Sequence, residues 1–167
     1  MKSWLIFTDG SFGDDSLCHG GIVYWTDNGN PIRIHVKCSN TNFTSMRNVG
    51  GEILAAWSAI MSVVSQVKKF NEETMDTYEL NLVYDYKGVG EWLTGRWKTN
   101  KPATRWFVNA INSILNEVPN LKVNYIWVKG HSDNRGNAIA DKTAAYDMAY
   151  VRQEGIKVCD LDSLIKI

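Results

Sequence analysis

Four acidic residues are placed along the chain so that their carboxylates could meet after folding: Asp9, Glu52, Asp85 and Asp141. Asp9 and Asp85 each follow an apolar stretch that predicts a buried strand, and parallel neighbouring strands end at the same edge of a sheet. Glu52 and Asp141 fall in predicted helices. Converging carboxylates repel one another unless a cation neutralises them. Oxygen ligands suit Mg²⁺ or Mn²⁺, so this pattern favours a divalent metal site.

Each acid also has an ordinary structural interpretation. Asp9 could bond the turn predicted at residues 10–11, where the strand is expected to break. Glu52 lies in the first turn of its helix, where the helix dipole favours an acid. Asp141 lies on the small, apolar face of its helix and is predicted to face the sheet, where it could be a buried hydrogen-bonding residue. Only the convergence of all four favours a metal site.

Composition and charge limit the class of protein. The 167 residues, 44% hydrophobic and 22% charged, predict one globular domain with a sizeable core. The 18 basic and 18 acidic residues balance, so any attraction to nucleic acid must come from a local patch. No apolar run approaches the roughly 18 residues that span a membrane, and the N-terminus has no secretory pattern. Three widely spaced cysteines, Cys18, Cys38 and Cys159, predict reduced thiols and a cytoplasmic protein.

The elements that must position the acids follow from hydrophobic periodicity and turn residues. Strands are predicted at residues 4–7, 21–25, 32–36, 80–84 and 123–128, and helices at 50–67, 87–93, 102–117 and 135–151. The order predicts an α/β fold with a mixed five-stranded sheet, in which three antiparallel strands precede parallel additions and helices cover both faces. Residues 1–150 form the predicted domain, and residues 151–167 form a tail packed on it or extending from it.

Several motifs together resemble type 1 ribonuclease H over roughly residues 3–150. They are Thr8-Asp9-Gly10-Ser11, Asn48-Val49-Gly50-Gly51-Glu52, Val83-Tyr84-Asp85, and Trp127-Val128-Lys129-Gly130-His131-Ser132 with Asn137 and Asp141. The Gly-Gly-Glu helix start is most similar to the ribonuclease H domains that accompany viroplasmin-type modules. The resemblance implies a ribonuclease H-like fold. It also implies that the four acids bind two Mg²⁺, with Mn²⁺ able to substitute, and hydrolyse the RNA strand of RNA–DNA hybrids, leaving 5′-phosphate and 3′-hydroxyl ends.

The same resemblance implies roles for three further residues, and two more residues in or beside the motifs are added as candidates. His131 matches a mobile histidine that assists proton transfer or product release, and a loop histidine can exchange a proton near neutral pH. Asn48 and Asn137 match substrate contacts, Arg47 could bind a phosphate of the DNA strand, and Ser11 belongs to the first motif. Ordinary alternatives are an exposed loop histidine, helix-capping asparagines and a solvated arginine.

A local basic segment offers a nucleic-acid patch in this neutral chain. Residues 87–105 contain five basic residues and one acid, with Trp92 and Trp97 interleaved. In many family members a longer basic handle stands here, whereas this chain has a trimmed one. We interpret Trp92, Trp97 and Lys98 as substrate-binding residues, with Arg96 and Lys101 in the same charged rim. Alternatively, the tryptophans are core residues and the cations are ordinary surface.

Three functions remain open at this point. The first is an active hybrid-specific endoribonuclease, which we expect to be a monomer needing no membrane and no obligate protein partner. The second is a catalytically silent module that binds hybrids. The third is another nuclease or strand transferase of the ribonuclease H-like superfamily, such as an integrase. The presence of all four acids favours the first.

Overall fold

The structure, a computed structural model, describes residues 2–130, 133–145, 150 and 154–167. Its strands are β1 (Lys2–Phe12), β2 (Cys18–Trp25), β3 (Pro31–Cys38), β4 (Tyr78–Tyr84), β5 (Leu121–Trp127) and β6 (Lys157–Asp160). They form one sheet in the order β5-β4-β1-β2-β3-β6. The pairs β1–β2 and β2–β3 are antiparallel, whereas β1–β4, β4–β5 and β3–β6 are parallel. The predicted mixed sheet is confirmed.

The sheet contains one strand more than the five predicted. The additional strand, β6, comes from the C-terminal tail and pairs with β3 at the edge of the sheet. Beyond it, Leu161 and Ile165 are buried in the main core, and the Asp162 carboxylate accepts hydrogen bonds from Ser39. The sequence offers a short strand in this tail without a clear assignment, because four residues of mixed polarity carry little periodicity.

Helices cover both faces of the sheet, as predicted. They are α1 (Thr41–Thr44), α2 (Asn48–Asn71), α3 (Gly88–Leu93), α4 (Pro102–Asn116) and α5 (Arg135–Ala144). Neighbouring residues of β1 point to opposite faces. Accordingly Ile6 joins the larger core under α2 and α4, whereas Phe7 joins a smaller core that includes Ala140 of α5. By length and composition α2 could also cross a membrane, but most of it is buried inside the fold, as in a core helix.

Two expectations for β1 are wrong. The strand does not break at Gly10-Ser11 but continues to Phe12, because residues beyond Asp9 still pair with β2. Leu5, expected to be covered on a central strand, is 51% exposed. Parallel pairing with β4 ends at Phe7 and Val83, so β1 and β4 separate just where the two acids follow.

Candidate active site

Asp9 and Asp85 meet where β1 and β4 part. Asp9 lies two residues beyond the last β1–β4 pair, and Asp85 directly follows the end of β4. Asp9 still pairs with Gly21 of β2, and its Oδ1 accepts a hydrogen bond from the backbone N–H of Gly10 at 2.9 Å. Asp9 is therefore fixed by the sheet, whereas Asp85 begins a connecting segment.

Glycines bring the start of α2 onto this edge of the sheet. A Cβ on Gly10 would overlap the backbone nitrogen of Glu52, and a Cβ on Gly51 would overlap the carbonyl oxygen of His19. The helix can therefore rest its first turn directly on the backbones of β1 and β2. This contact places Glu52 beside Asp9, where it is only 3% exposed.

Three of the predicted acids form a compact group. One carboxylate oxygen from each of Asp9, Glu52 and Asp85 lies within 4.8 Å of the other two. Asp9 is 4% exposed and Asp85 is half-buried. The Oε2 atom of Glu52 is buried and has no hydrogen-bond partner among the residues that the structure describes. An all-oxygen donor set with an unpartnered buried oxygen fits a divalent cation of the Mg²⁺ or Mn²⁺ type.

The electrostatics of the group also favour a cation. Burial, together with the neighbouring Asp85 and Asp141, raises the pKa of Asp9 to about 7, although its hydrogen bond with Glu52 opposes this. Burial and then Asp9 raise the pKa of Glu52 well above its ordinary range. Without a cation, the pair therefore retains a proton near neutral pH. A bound cation would take the place of that proton.

Asp141 lies at the exposed margin of this group rather than inside it. It raises the pKa of Asp9 through a side-chain hydrogen bond, but it is not among the three whose oxygens cluster. The expectation that Asp141 lies on a buried, apolar face is wrong, because Asp141 is exposed, although its side chain still reaches Asp9 at the edge of the sheet. The buried face of α5 instead carries Gly136 and Ala140, since a Cβ on Gly136 would collide with the ring of Phe7. Close packing at this glycine fixes the orientation of the helix.

The loop that leads to His131 passes beside Asp85. A Cβ placed on Gly130 would lie 3.3 Å from Oδ2 of Asp85. His131 and Ser132 lie outside the described residues. The predicted role of His131 in proton transfer stays a prediction.

The predicted substrate contacts at the start of α2 are exposed. Asn48 is the first residue of the helix, and Arg47 precedes it with a φ of 55°. The guanidinium of Arg47 lies 4.7 Å from the ring centroid of Phe12, which fixes it beside β1. Ser11 is half-buried against Gly51. These residues border the carboxylates on the α2 side.

Asn137 does not fit the predicted substrate contact, because it is only 4% exposed. Neither is it the cap of α5, because the side chain of Asn134 caps the helix by accepting a hydrogen bond from the backbone N–H of Asn137. Asn137 belongs to the same buried face as Ala140. Burial against the sheet thus explains this residue better than substrate binding does.

The basic segment divides into a buried and an exposed part. Trp92 is 8% exposed and belongs to the main core, so it packs beneath this surface and is not available to bind substrate. Trp97 is 41% exposed and packs edge-on against Trp92 and Tyr86. Arg96 is held by Glu91 through two hydrogen bonds of 3.0 Å, so its charge is already compensated. The other exposed cations of the predicted rim are Lys98, which follows Trp97 directly, and Lys101.

A chain of buried histidines was not predicted. The Nε2 atom of His19 lies 3.0 Å from both carboxylate oxygens of Asp15, and its Nδ1 lies 2.9 Å from Nε2 of His35. The Nδ1 atom of His35 then lies 2.7 Å from the carbonyl oxygen of Thr143. Burial lowers the pKa of His35 to about 4, so this ring is neutral at physiological pH. This series of hydrogen bonds connects β2 and β3 to α5, the helix that carries Asp141.

Stability without metal should fall as the pH rises towards 7.5. The folded protein keeps a proton on Asp9 up to about pH 7, whereas an unfolded aspartate loses it near 3.8, so ionisation of Asp9 destabilises the fold. His35 acts oppositely, because its pKa of about 4 lies below the ordinary 6.5 and its contribution grows with pH between these values. Above about pH 6.5 only the carboxyls still contribute to the pH dependence. The loss is at most ~1.4 kcal/mol per pH unit for each carboxyl that is still protonated in the folded protein, and for Asp9 it fades as the pH passes about 7.

Urea unfolding in EDTA and in Mg²⁺, across this pH range, measures the effect. Mg²⁺ should flatten the dependence, since a cation stabilises the ionised carboxylates. Asp9→Asn should flatten it without Mg²⁺. A free energy of unfolding that rises with pH in EDTA would contradict the raised pKa values.

Known proteins share this fold. An RNase H family model matches residues 1–149. A ribonuclease H of Orientia tsutsugamushi (strain Boryong) is 25% identical over 139 residues, which cover 83% of this chain and 78% of that protein. LC11-RNase H1, isolated from compost by a metagenomic approach, has a TM-score of 0.62 at 22% identity, covering 90% of this chain and 99% of that one. Its complex with an RNA/DNA hybrid has a TM-score of 0.59 at 22% identity, covering 88% and 99%.

Proposed function

The chain belongs to the ribonuclease H family, and we propose that it hydrolyses the RNA strand of RNA–DNA hybrids with two divalent ions, Mg²⁺ or Mn²⁺. The observation that carries the proposal is the group of Asp9, Glu52 and Asp85, with oxygens within 4.8 Å and one buried Glu52 oxygen that no described residue satisfies. Asp141 completes the proposed ligand set from the exposed side. All four acids come from one chain, which supports a monomeric enzyme.

The protein's contribution is to hold these carboxylates at the solvent edge of the sheet. When bound, the ions supply positive charge that activates water and stabilises the departing oxygen in phosphodiester hydrolysis. Asp9 and Glu52 lose their retained proton as the cations bind, because the cations replace it as the counter-charge. Asp85 is half-buried and Asp141 is exposed, so the open side of the group faces the solvent from which a phosphate would approach.

Recognition of the hybrid is proposed to begin beside Glu52. LC11-RNase H1, whose fold this chain shares, has been solved with an RNA/DNA hybrid. Asn48 and Arg47 are exposed here at the start of α2, one turn before Glu52. An amide at this point can bond the 2′-hydroxyl, the group that distinguishes RNA from DNA. Arg47 can hold a backbone phosphate and so position the duplex.

The exposed ring of Trp97 and the cations Lys98 and Lys101 are proposed to contact the DNA strand. Tyr86 connects this surface to the acids, because it follows Asp85 and packs against Trp97. The protein has no net charge, so these contacts must supply local attraction. With Arg96 already paired to Glu91, the rim holds fewer available cations than the sequence suggested.

Replacing Lys98 and Lys101 together by alanine should raise KM and leave kcat nearly unchanged. Two lost phosphate contacts should reduce the slope of log affinity against log salt by about 1.8, at about 0.9 per contact on duplex DNA. A salt series with a hybrid of fixed length measures both quantities. Lys69→Ala, an exposed charge near the far end of α2, is the matched control. A collapse of kcat with unchanged KM and slope would place this segment in the active site or the core.

A panel of labelled duplexes in Mg²⁺ tests the proposed function. The protein should cut the RNA strand of an RNA–DNA hybrid and spare the RNA–RNA and DNA–DNA duplexes. Binding of the hybrid without cleavage would instead indicate a silent module. Cutting or joining of pure DNA would indicate a strand transferase. Either result would overturn the proposal.

A further inference from the structure

Trp127 makes a contact at the active site that no sequence pattern indicated. It is the last residue of β5, the edge strand next to β4, and its side chain is 50% exposed. Its indole Nε1–H donates a hydrogen bond of 2.8 Å to the backbone carbonyl oxygen of Asp85. A large apolar ring left half in solvent usually loses burial energy, so this bond and its location need an explanation.

The bond secures a peptide that the sheet itself does not hold. β4 ends at Tyr84, which pairs with Trp127, and the backbone N–H of Val128 donates to the Tyr84 carbonyl at 2.9 Å. Asp85 comes one residue later, beyond the β4–β5 pairing. The Trp127 side chain therefore lets β5 bind one carbonyl beyond that of Tyr84, the carbonyl of Asp85. The chain then passes Gly130 beside the Asp85 carboxylate.

Asp85 has a physical reason to move if it is not held. Asp9 lies within a paired strand and Glu52 within a helix, but Asp85 is in a connecting segment. Its carboxylate sits within 4.8 Å of oxygens of two other acids, which repel it whenever they are ionised. An unrestrained Asp85 would relax towards solvent, and a cation would then have to draw it back at a cost in affinity.

We propose that Trp127 is a positioning residue that holds Asp85 in its metal-binding orientation through the Nε1–H bond. In this proposal the N–H of the exposed indole carries the role of Trp127, and the face of its ring does not. The inference deepens the proposed function and rests on it for the activity readout. A role for the ring face as a platform on which a base stacks makes the opposite prediction, since stacking needs the ring but not the N–H.

The test removes the N–H while keeping the ring. Trp127→Phe does so with a smaller ring, and incorporation of benzothienylalanine at position 127 does so with nearly the same shape. Loss of one hydrogen bond should weaken Mg²⁺ or Mn²⁺ binding, measured by calorimetry without substrate, about three- to tenfold. At limiting Mg²⁺ kcat should fall by a similar factor while KM for the hybrid stays constant. Ile126→Val, a change in the exposed surface of the same strand, is the matched control and should alter neither.

Two results would overturn the inference. One is wild-type metal affinity in both variants. The other is found if Trp127→Leu, which removes the ring as well, raises KM with unchanged metal affinity while the two ring-retaining variants behave as the wild type. That result would indicate a stacking platform. The backbone ¹³C carbonyl and amide signals of Asp85 and Tyr86 provide a readout without metal, and they should shift in both variants. If the wild-type protein neither binds cations nor cleaves hybrids, the proposed function fails while these signals still decide whether Trp127 holds Asp85.

Discussion

Replacing Asp85 by asparagine should lower turnover by a factor on the order of 10³ or more, while the apoprotein remains as stable as the wild type or becomes more stable. The side chain keeps its size and can still accept a hydrogen bond, so packing is unchanged. What is lost is one negative charge in a group of three acids within 4.8 Å of one another. That charge is needed to hold the cations, and without cations it only adds repulsion.

Steady-state cleavage and urea unfolding in EDTA measure the two effects on the same preparation. Asp27→Asn, an exposed acid in the turn between β2 and β3, is the matched control and should change neither. Near-normal Mg²⁺-dependent activity in Asp85→Asn would remove Asp85 from the site.

His131→Ala should slow turnover without abolishing it, because that residue is not a proposed ligand. The same cleavage assay measures this effect.

Gly10→Ala, which adds a single methyl group, should destabilise the fold by about 3 kcal/mol and greatly reduce activity. The new Cβ would overlap the backbone nitrogen of Glu52 and approach the backbone of Gly51, so neither neighbour can yield by rotating a side chain. The start of α2 must then lift from β1. Glu52 would move away from Asp9, and a displacement of about 1 Å at a reacting centre can cost about 10²-fold in rate.

Gly29→Ala is the control for this substitution. Gly29 has a φ of 82°, and no atom of the described residues lies within 4 Å of the position that a Cβ would take there. Alanine at this position therefore suffers only the backbone penalty of about 1 kcal/mol. Chemical denaturation with assays of the same samples separates the two sites. Equal losses of stability at Gly10 and Gly29, with activity retained at Gly10, would show that the α2–β1 contact does not position Glu52.

The strands β1 to β5 and the central helix could be predicted because each has an apolar pattern of sufficient length. Asp9 and Asp85 could be placed together because parallel strands bring their carboxyl ends to one edge. The continuation of β1 past Gly10 could not be predicted, since a glycine signals a turn locally but here permits a helix to approach. The orientation of α5 depends on Gly136 meeting Phe7, a contact between distant parts of the chain.

Two tryptophans show the same limit within one segment. Trp92 and Trp97 stand among the same basic residues, yet one is buried in the core and the other is on the surface. Sequence could not separate them, because α3 is short and the chain after it is irregular. The pairing of Arg96 with Glu91 and the hydrogen bond from Trp127 to Asp85 likewise depend on side-chain geometry that no spacing encodes.

Cleavage of an end-labelled RNA strand within an RNA–DNA hybrid tests most directly whether the carboxylate group performs metal-dependent hydrolysis. Purified protein is assayed in Mg²⁺, then in excess EDTA, and again after Mg²⁺ is restored. We predict cleavage that leaves 5′-phosphate and 3′-hydroxyl ends in Mg²⁺, disappears in EDTA and returns with Mg²⁺. Cleavage that continues in excess EDTA, or a hybrid that stays intact in Mg²⁺ and in Mn²⁺, would contradict it.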